Sequence, residues 1–268
     1  MNTPFYSIIV VSYNAGEKLS ATIKSILSQT FGEYEIIVKD ALSTDGSTAK
    51  LPEDPRIRLI QGKDRGIYDG MNIALLSSRG EYIYFLNCGD LLASEAVLEK
   101  VHAEISRKED GQSVPAIFYG HVLERRTGQT VLAAPSMSHF AMYRSLPCHQ
   151  ACFYGRELFA ERAFDLHFAV RADYEHFLWC VMKKGAAAVR LDLVICDYEG
   201  GGFSETKKNR ERSAREHEEI ARMYFTGKER LLYRTYMIVT LQPLREKIAH
   251  GKHTAALYDR IRNRFYGG

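Results

Sequence analysis

Tyr82-Ile83-Tyr84-Phe85-Leu86-Asn87-Cys88-Gly89-Asp90 is the stretch on which the fold turns. Its first residues form an apolar run too short for a helix and rich in aromatic and β-branched types. That is the pattern of a strand buried on both faces. Asn87 and Asp90 then bring an amide and a carboxylate onto the turn that leaves the strand. Gly89 permits backbone there that a side chain would hinder. In open α/β sheets, ligands bind beyond the carboxyl ends of the strands, and a carboxylate placed there can hold a divalent cation against a phosphate. The same aspartate can instead cap the next helix or close an Asx-turn. The surrounding chain has to decide between these.

Upstream, Tyr6-Ser7-Ile8-Ile9-Val10-Val11 reads as a first buried strand ending in Ser12-Tyr13-Asn14, and Leu19, Ile23, Ile26 and Leu27 follow at helical spacing. Glu35-Ile36-Ile37-Val38 is a second strand, and the loop from Lys39 to Thr48 is dense in turn formers and capping residues. Arg56-Ile57-Arg58-Leu59-Ile60 is a third strand. A helix carrying Ile67, Met71, Ala74 and Leu75 on one face then delivers the chain to Tyr82. Strands alternating with helices mean a three-layer, mostly parallel sheet. No Gly-x-Gly-x-x-Gly follows the first strand and no Walker A sequence is present, which disfavours a dinucleotide-binding domain. The strand ends carry Asp40 and Asp90 instead.

Downstream, Ser94 reads as the N-cap of a helix with Val97, Leu98, Val101 and Ile105 inward. Residues 116–120 and 148–154 are strand-like, 121–147 hairpin-like with a break at Pro135, 157–162 a short helix and 189–194 a last strand. Asp173 opens a strong helix, where it is also a natural N-cap. Gly200-Gly201-Gly202 is a hinge suited to a closing loop or to a linker. Beyond it the chain reads as helical, with residues 231–244 its most apolar part. Tyr233, Tyr236, Arg230 and Arg234 are interspersed there, which suits an interfacial helix, a dimer contact or plain packing on the domain.

The 268 residues suffice for one large α/β domain with an appendage. Five cysteines form no disulfide or zinc framework, the chain opens on a strand rather than a signal peptide, and no apolar stretch reaches membrane-spanning length. A reducing cytoplasm is the expected location. The formal net charge of +3 is unevenly spread. Residues 205–268 carry fifteen Lys/Arg against eight Asp/Glu, and residues 1–204 carry 21 against 25. A basic tail on a slightly acidic body fits an anionic surface or partner, or merely a solvated helical face. No nucleic-acid partner is expected.

Taken together, the motifs resemble the inverting family-2 glycosyltransferases of the GT-A fold, in particular their bacterial polysaccharide-assembly branch, over about residues 5–205. Ile8-Ile9-Val10-Val11-Ser12-Tyr13-Asn14 is similar to the opening strand and nucleotide loop. Asp40-Ala41-Leu42-Ser43-Thr44-Asp45-Gly46-Ser47 is similar to the aspartate-rich second loop, and the segment from Asp64 to Asn72 to the one that closes on the donor. Leu86-Asn87-Cys88-Gly89-Asp90 stands at the metal-binding Asp-x-Asp element, with Asn87 where many relatives carry aspartate. Ala172-Asp173-Tyr174-Glu175 resembles the motif of the catalytic base.

The resemblance implies a Rossmann-like sandwich over residues 1–204, with a nucleotide-binding half (1–92) and an acceptor-binding half (93–204), followed by a basic helical extension (205–268). It also implies metal-dependent, inverting transfer of a sugar from a nucleotide-diphospho-sugar, UDP by default, to a glycan or lipid-linked glycan hydroxyl. Ser12, Tyr13, Asn14, Asp40, Arg65, Asn72 and Asn87 would surround the donor, with Asp40 on the base. Asp90 would hold Mn²⁺ or Mg²⁺, and Asp173 would be the general base. His149, Gln150 and Glu175 would lie on the acceptor side. Glu175 is the runner-up base, but at roughly 3.6 residues per turn it sits about 200° from Asp173 on a helix. The amphipathic tail would hold the enzyme at the inner face of the cytoplasmic membrane. The competing classes are a degenerate nucleotide-sugar-binding or scaffold protein and a sugar-phosphate nucleotidyltransferase. The latter is disfavoured because the loop after the first strand has no close arginine.

Overall fold

The structure, a computed structural model, describes residues 3–109, 115–200 and 206–240. Its centre is a single sheet in which alternate side chains of each inner strand feed two separate cores. β1 (Tyr6–Ser12), β2 (Tyr34–Asp40) and β4 (Tyr82–Phe85) are buried almost throughout. Tyr6, Ile8 and Val10, Tyr34, Ile36 and Val38, and Tyr82 and Tyr84 face one core. Ile9, Ile37, Ile83 and Phe85 face the other. That two-residue period is strand geometry, and it explains why no polar face shows in these segments.

Helix α1 (Glu17–Leu27) inserts Leu19, Ile23 and Ile26 into the first core, whereas α2 (Ile67–Leu75) inserts Met71 and Ala74 into the second. The helices therefore lie on opposite faces, and three layers result. Between these helices β3 (Ile57–Gln61) pairs with β2. β5 (Leu91–Leu92) follows the Asn87–Asp90 turn, and α3 (Val97–Glu109) buries Val97, Leu98, Val101 and Ile105 as expected. Ser94 lies too early to cap α3. Its carbonyl instead accepts from Val97 N and from Gln29 Nε2.

The rest of the sheet comprises β6 (Ala116–Glu124), β7 (Gln129–Val131), β8 (Cys152–Gly155) and β9 (Ala187–Tyr198). The strand order is β3-β2-β1-β4-β8-β6-β9-β5, with β7 beside β6. Pairing is parallel from β3 to β4 and between β6 and β9. It is antiparallel at β4–β8, β6–β8, β6–β7 and β5–β9, so the sheet is parallel in its first half and mixed in its second. The hairpin expected within 121–147 is β6–β7, and a short helix α4 (His139–Arg144) follows Pro135.

Helix α5 (Ala172–Met182) packs on the second core, as does α6 (Lys207–Tyr224) through Ile220 and Ala221. α7 (Gly227–Val239) opens with a reciprocal Thr226–Glu229 capping box. It rests Tyr233 and Met237 on the body and leaves Leu231, Leu232, Tyr236, Ile238 and Val239 exposed. Most of the expected hinge (201–205) and the tail beyond residue 240 lie outside the described residues.

Register positions the site. β1 and β2 pair from Tyr6↔Tyr34 to Ser12↔Asp40, and β1 meets β4 at Ile9↔Phe85. The carboxyl ends of three strands thus share one edge. Strand order reverses there: β2 lies to one side of β1 and β4 to the other, the topological switch point at which such sheets bind ligands.

Candidate active site

A cleft of about 1260 Å³ opens at that switch point. Val11, Ser12, Tyr13, Asn14 and Ala15 line it from the end of β1, Asn87, Cys88 and Asp90 from the end of β4, and Asp64, Gly66 and Tyr68 from the approach to α2. The β1 loop is tied to the β2 loop. Asn14 Oδ1 accepts from Thr44 N at 2.9 Å, Asn14 N donates to Ser43 Oγ at 2.8 Å, and Gly16 N donates to Asp45 Oδ2 at 2.8 Å. Tyr13 is left exposed on the rim.

Asp90 is only 4% exposed. Its Oδ1 accepts from Glu199 N at 2.9 Å and its Oδ2 from Gln150 Nε2 at 2.8 Å. Both donors are neutral, so burial dominates and pushes the carboxyl up to about 6. Gly89 holds φ at 101°, and a Cβ there would meet Glu199 Oε2 at 2.4 Å. The positive φ is what favours glycine here, since the Glu199 carboxylate is the end of a flexible side chain that can move aside. Glu199 in turn pairs with Lys18 at 2.6 Å. Elsewhere in the cleft lining, the buried Asn87 Oδ1 and Ser12 Oγ have no hydrogen-bond partner among the described residues.

Asp173 reaches the same cleft from the second position of α5. It does not cap that helix; Arg171 occupies the cap without a side-chain bond. Asp173 Oδ1 instead accepts from Tyr68 Oη at 2.7 Å. His149 lines the cleft too, stacked on Phe85 with centroids 5.0 Å apart. Burial lowers its pKa, opposed by the charge of Asp173, so the ring stays neutral with both nitrogens unpartnered among the described residues.

The family model for glycosyl transferase family 2 matches residues 7–163. The chain belongs to glycosyl transferase family 2. The PGL/p-HBAD biosynthesis glycosyltransferase of Mycobacterium tuberculosis is 30% identical over 220 residues, spanning 79% of this chain and 83% of that protein. Among solved structures, S. aureus TarS 1–349 in complex with UDP superposes with a TM-score of 0.60 at 17% identity, over 73% of this chain and 60% of that one. The mannosyltransferase PcManGT from Pyrobaculum calidifontis, in complex with GDP-Man and Mn²⁺, does so with a TM-score of 0.58 at 17% identity, over 80% and 62%. The chain thus spans about 60% of the length of these two structures, and they speak to the fold alone. The α/β sandwich and transferase class expected from the motifs stand. A nucleotidyltransferase is set aside.

Within this family-2 transferase, the expected site residues divide. Ser12, Tyr13, Asn14, Asn87, Asp90, His149, Gln150 and Asp173 all line the cleft. Gln150, expected on the acceptor side, donates to Asp90 from within the cleft. Four other expected residues are not among those lining the cleft and are engaged by neighbouring groups. Asp40 is fully buried, and both its oxygens accept from Ser43 N, so it ties its own loop while Ala41 lines the cleft. Arg65 is turned to solvent in a bidentate pair with Asp69. Asn72 spends its oxygen on Phe164 N and its amide on Phe164 O, both at 2.9 Å. Glu175 is fully buried against Arg162 and Tyr224, on the side of α5 that the helical angle dictates.

Sequence reasoning did not single out Tyr68, Lys18 or Glu199. Tyr68 lay inside the quoted Asp64–Asn72 motif, but nothing local marks Lys18 or Glu199, which meet across 181 positions. Nor did it single out the role of Lys39. That buried ammonium, 1% exposed, donates to Asp64 Oδ2 at 2.8 Å and to the carbonyls of Gly62 and Asp40. It props the cleft-lining Asp64 from behind.

The donor set fits a hard cation in an open site. Asp90, the unpartnered Asn87 Oδ1 and Ser12 Oγ would supply oxygen, which Mg²⁺ and Mn²⁺ prefer. The neighbouring thiols of Cys88 and Cys148 are pushed up to about 12 by burial and stay protonated, so thiolate ligation is not on offer. No cluster of three His, Cys, Asp or Glu side chains occurs among the described residues, so the protein alone does not close a metal cage.

Proposed function

We propose that this family-2 transferase moves a sugar, with inversion, from a nucleotide-diphospho-sugar to a hydroxyl of a glycan or lipid-linked glycan in cell-surface polysaccharide assembly. UDP-sugars are the favoured donors, and a divalent cation sits at Asp90. The observation that carries this reading is one cleft holding two differently prepared carboxylates. Asp90 is buried among neutral donors in a cleft that an unpartnered amide oxygen also lines, and Asp173 has one oxygen engaged and the other free of partners among the described residues. UDP bound to TarS, and GDP-Man with Mn²⁺ bound to PcManGT, support the donor class and the cation.

In the reaction, the acceptor oxygen forms a bond to the anomeric carbon as the bond to the diphosphate breaks and its electron pair leaves with the nucleotide. Asp173 takes the acceptor proton. Ser12, Tyr13 and Asn14 hold the nucleoside. Asn87 and Asp90 would hold a cation, which when bound would supply Lewis-acid stabilisation of the leaving diphosphate. Neutral His149 offers an uncharged hydrogen-bonding ring near the base.

No helix among the described residues is long and apolar enough to cross a membrane. The exposed apolar row of α7 and the basic residues beyond it support peripheral binding to an anionic, cytoplasmic membrane surface. Flotation with anionic but not neutral vesicles, lost on deleting residues 228–268, is expected. Concentration-dependent dimerisation lost by the same deletion would assign that face to a second copy instead.

The primary test is a thermal-shift screen of UDP-, GDP- and dTDP-sugars with and without Mn²⁺, since a ligand bound only by the folded state raises apparent stability. A Mn²⁺-dependent rise with one base class, coupled to nucleotide release, is expected. No rise with any donor would sink the proposal. A rise without release, in the presence of acceptor glycans, would mark a binding protein that has lost its chemistry.

A further inference from the structure

Asp173 is held by a group that the transfer chemistry itself does not require. Tyr68 Oη lies 2.7 Å from Asp173 Oδ1 and 3.0 Å from the carbonyl of Val170. Its ring packs on Phe164 with centroids 5.4 Å apart, and burial raises its pKa well above the ordinary range, so it is a permanent donor. The backbone that carries Asp173 is pinned from a second side. Glu216, from α6, accepts from the amides of Ala169, Val170 and Arg171 at 2.9–3.0 Å and is itself held by Arg212. The segment is therefore clamped between α2 and α6, and the clamp touches the reacting carboxylate at one atom only.

We propose that Tyr68 is the positioning residue of the base: by engaging Oδ1 it fixes the carboxylate plane and leaves Oδ2 as the atom that receives the acceptor proton. Tyr68 follows the cleft-lining residues Asp64 and Gly66 directly, so the segment beside the donor and the orientation of the base are set by the same turn of chain. This inference rests on the reading of Asp173 as the base, and the test separates the two.

Tyr68→Phe keeps the ring and its contact with Phe164 and removes only the hydroxyl. The probe is nucleotide release from whichever UDP-, GDP- or dTDP-sugar most raises the melting temperature with Mn²⁺, water serving as acceptor. The expected result is a fall in kcat of about 10- to 100-fold, the scale of a small misplacement of a catalytic group, with donor KM and nucleotide affinity within twofold. On an Asp173→Asn background, Tyr68→Phe should add nothing, because groups that act as one unit are not additive. Unchanged kcat, a loss confined to KM, or a further independent loss on the Asp173→Asn background would each overturn the positioning role while leaving the base reading intact. Full activity of Asp173→Asn, or no release by the unaltered chain, would remove the base reading and this inference with it. Thermal melting and nucleotide titration of each variant distinguish these outcomes from misfolding.

Discussion

Replacing Asp90 by Asn should stabilise the metal-free protein while removing its response to metal and nucleotide. The reasoning starts from burial. Asp90 is 4% exposed, surrounded by neutral donors, and titrates near 6 instead of 3.8. That difference corresponds to about 3 kcal/mol. The sign follows from proton counting. The folded pKa lies above the unfolded one, so between pH about 4 and 6 the folded chain binds more protons than the unfolded chain, and stability falls as pH rises through that window. Above about 6 the full penalty applies.

Asn keeps the shape and can still accept from Glu199 N, but Gln150 must turn its amide to meet the new NH₂ group, which forfeits about 1 kcal/mol of hydrogen bonding. The net gain at pH 7.5 is about 2 kcal/mol, or about 4–8 °C in melting temperature for a chain of this size. At pH 4 the gain should vanish. Scanning calorimetry at the two pH values, with and without Mn²⁺ and UDP, checks each part. UDP with Mn²⁺ should raise the melting point of the unaltered chain only. If Asp90→Asn melts no higher than the unaltered chain at pH 7.5, or if its advantage persists undiminished at pH 4, burial is not what loads this carboxylate and the reasoning fails.

Asp173→Asn should lower transfer by about 10²–10⁴-fold, the usual contribution of an acid–base group, with nucleotide affinity by titration calorimetry nearly unchanged; full transfer in a well-folded variant refutes the base. Asn72→Ala should leave donor KM unaltered and lower stability by about 1–3 kcal/mol, because it orphans both backbone groups of Phe164. A large rise in donor KM at unchanged stability would return Asn72 to the donor site. Lys39→Met leaves Asp64 and two carbonyls without their buried ammonium and should cost about 3–5 kcal/mol in denaturant unfolding. Unchanged stability would mean that the prop behind Asp64 is dispensable.

The architecture was legible because it depends on short-range periodicity. Tyr82 and Tyr84 against Ile83 and Phe85 belong to different cores, and a segment apolar at every position can only serve a strand covered on both sides. That Asp173 and Glu175 would face different ways was also legible, since the angle between them is fixed by helical geometry wherever the helix packs. What was hidden is which polar side chains are already spoken for. Asn72 is cancelled by backbone 92 positions away, and the loop before Asp173 is held by Glu216, 45–47 positions on. The antiparallel strands of the second half were equally invisible, because no pattern within β8 says which neighbour it will meet.

That distinction between engaged and open polar atoms is what turns a run of motif residues into a site. Asp40, Asn72, Arg65 and Asp90 all sit in segments that resemble the family's donor-binding loops. Asp40 and Asn72 are engaged by backbone and Arg65 by Asp69, and none of the three lines the cleft; Asp90 is engaged too, by Glu199 N and Gln150 Nε2, but it lies on the cleft wall. Asn87 Oδ1, Ser12 Oγ and the nitrogens of His149 are buried with nothing to bond among the described residues, a state that costs about 1–3 kcal/mol per group. Buried nitrogens without a partner among the described residues also occur away from the cleft, at His176, so what marks Asn87, Ser12 and His149 is that they line the cleft, where water or a ligand can reach them. On the function proposed above, the oxygens of Asn87 and Ser12 would serve a cation held at Asp90, and the neutral imidazole of His149 would serve an acceptor hydroxyl. The donor's diphosphate and the acceptor's alcohol are the two ligands that would complete those bonds at once.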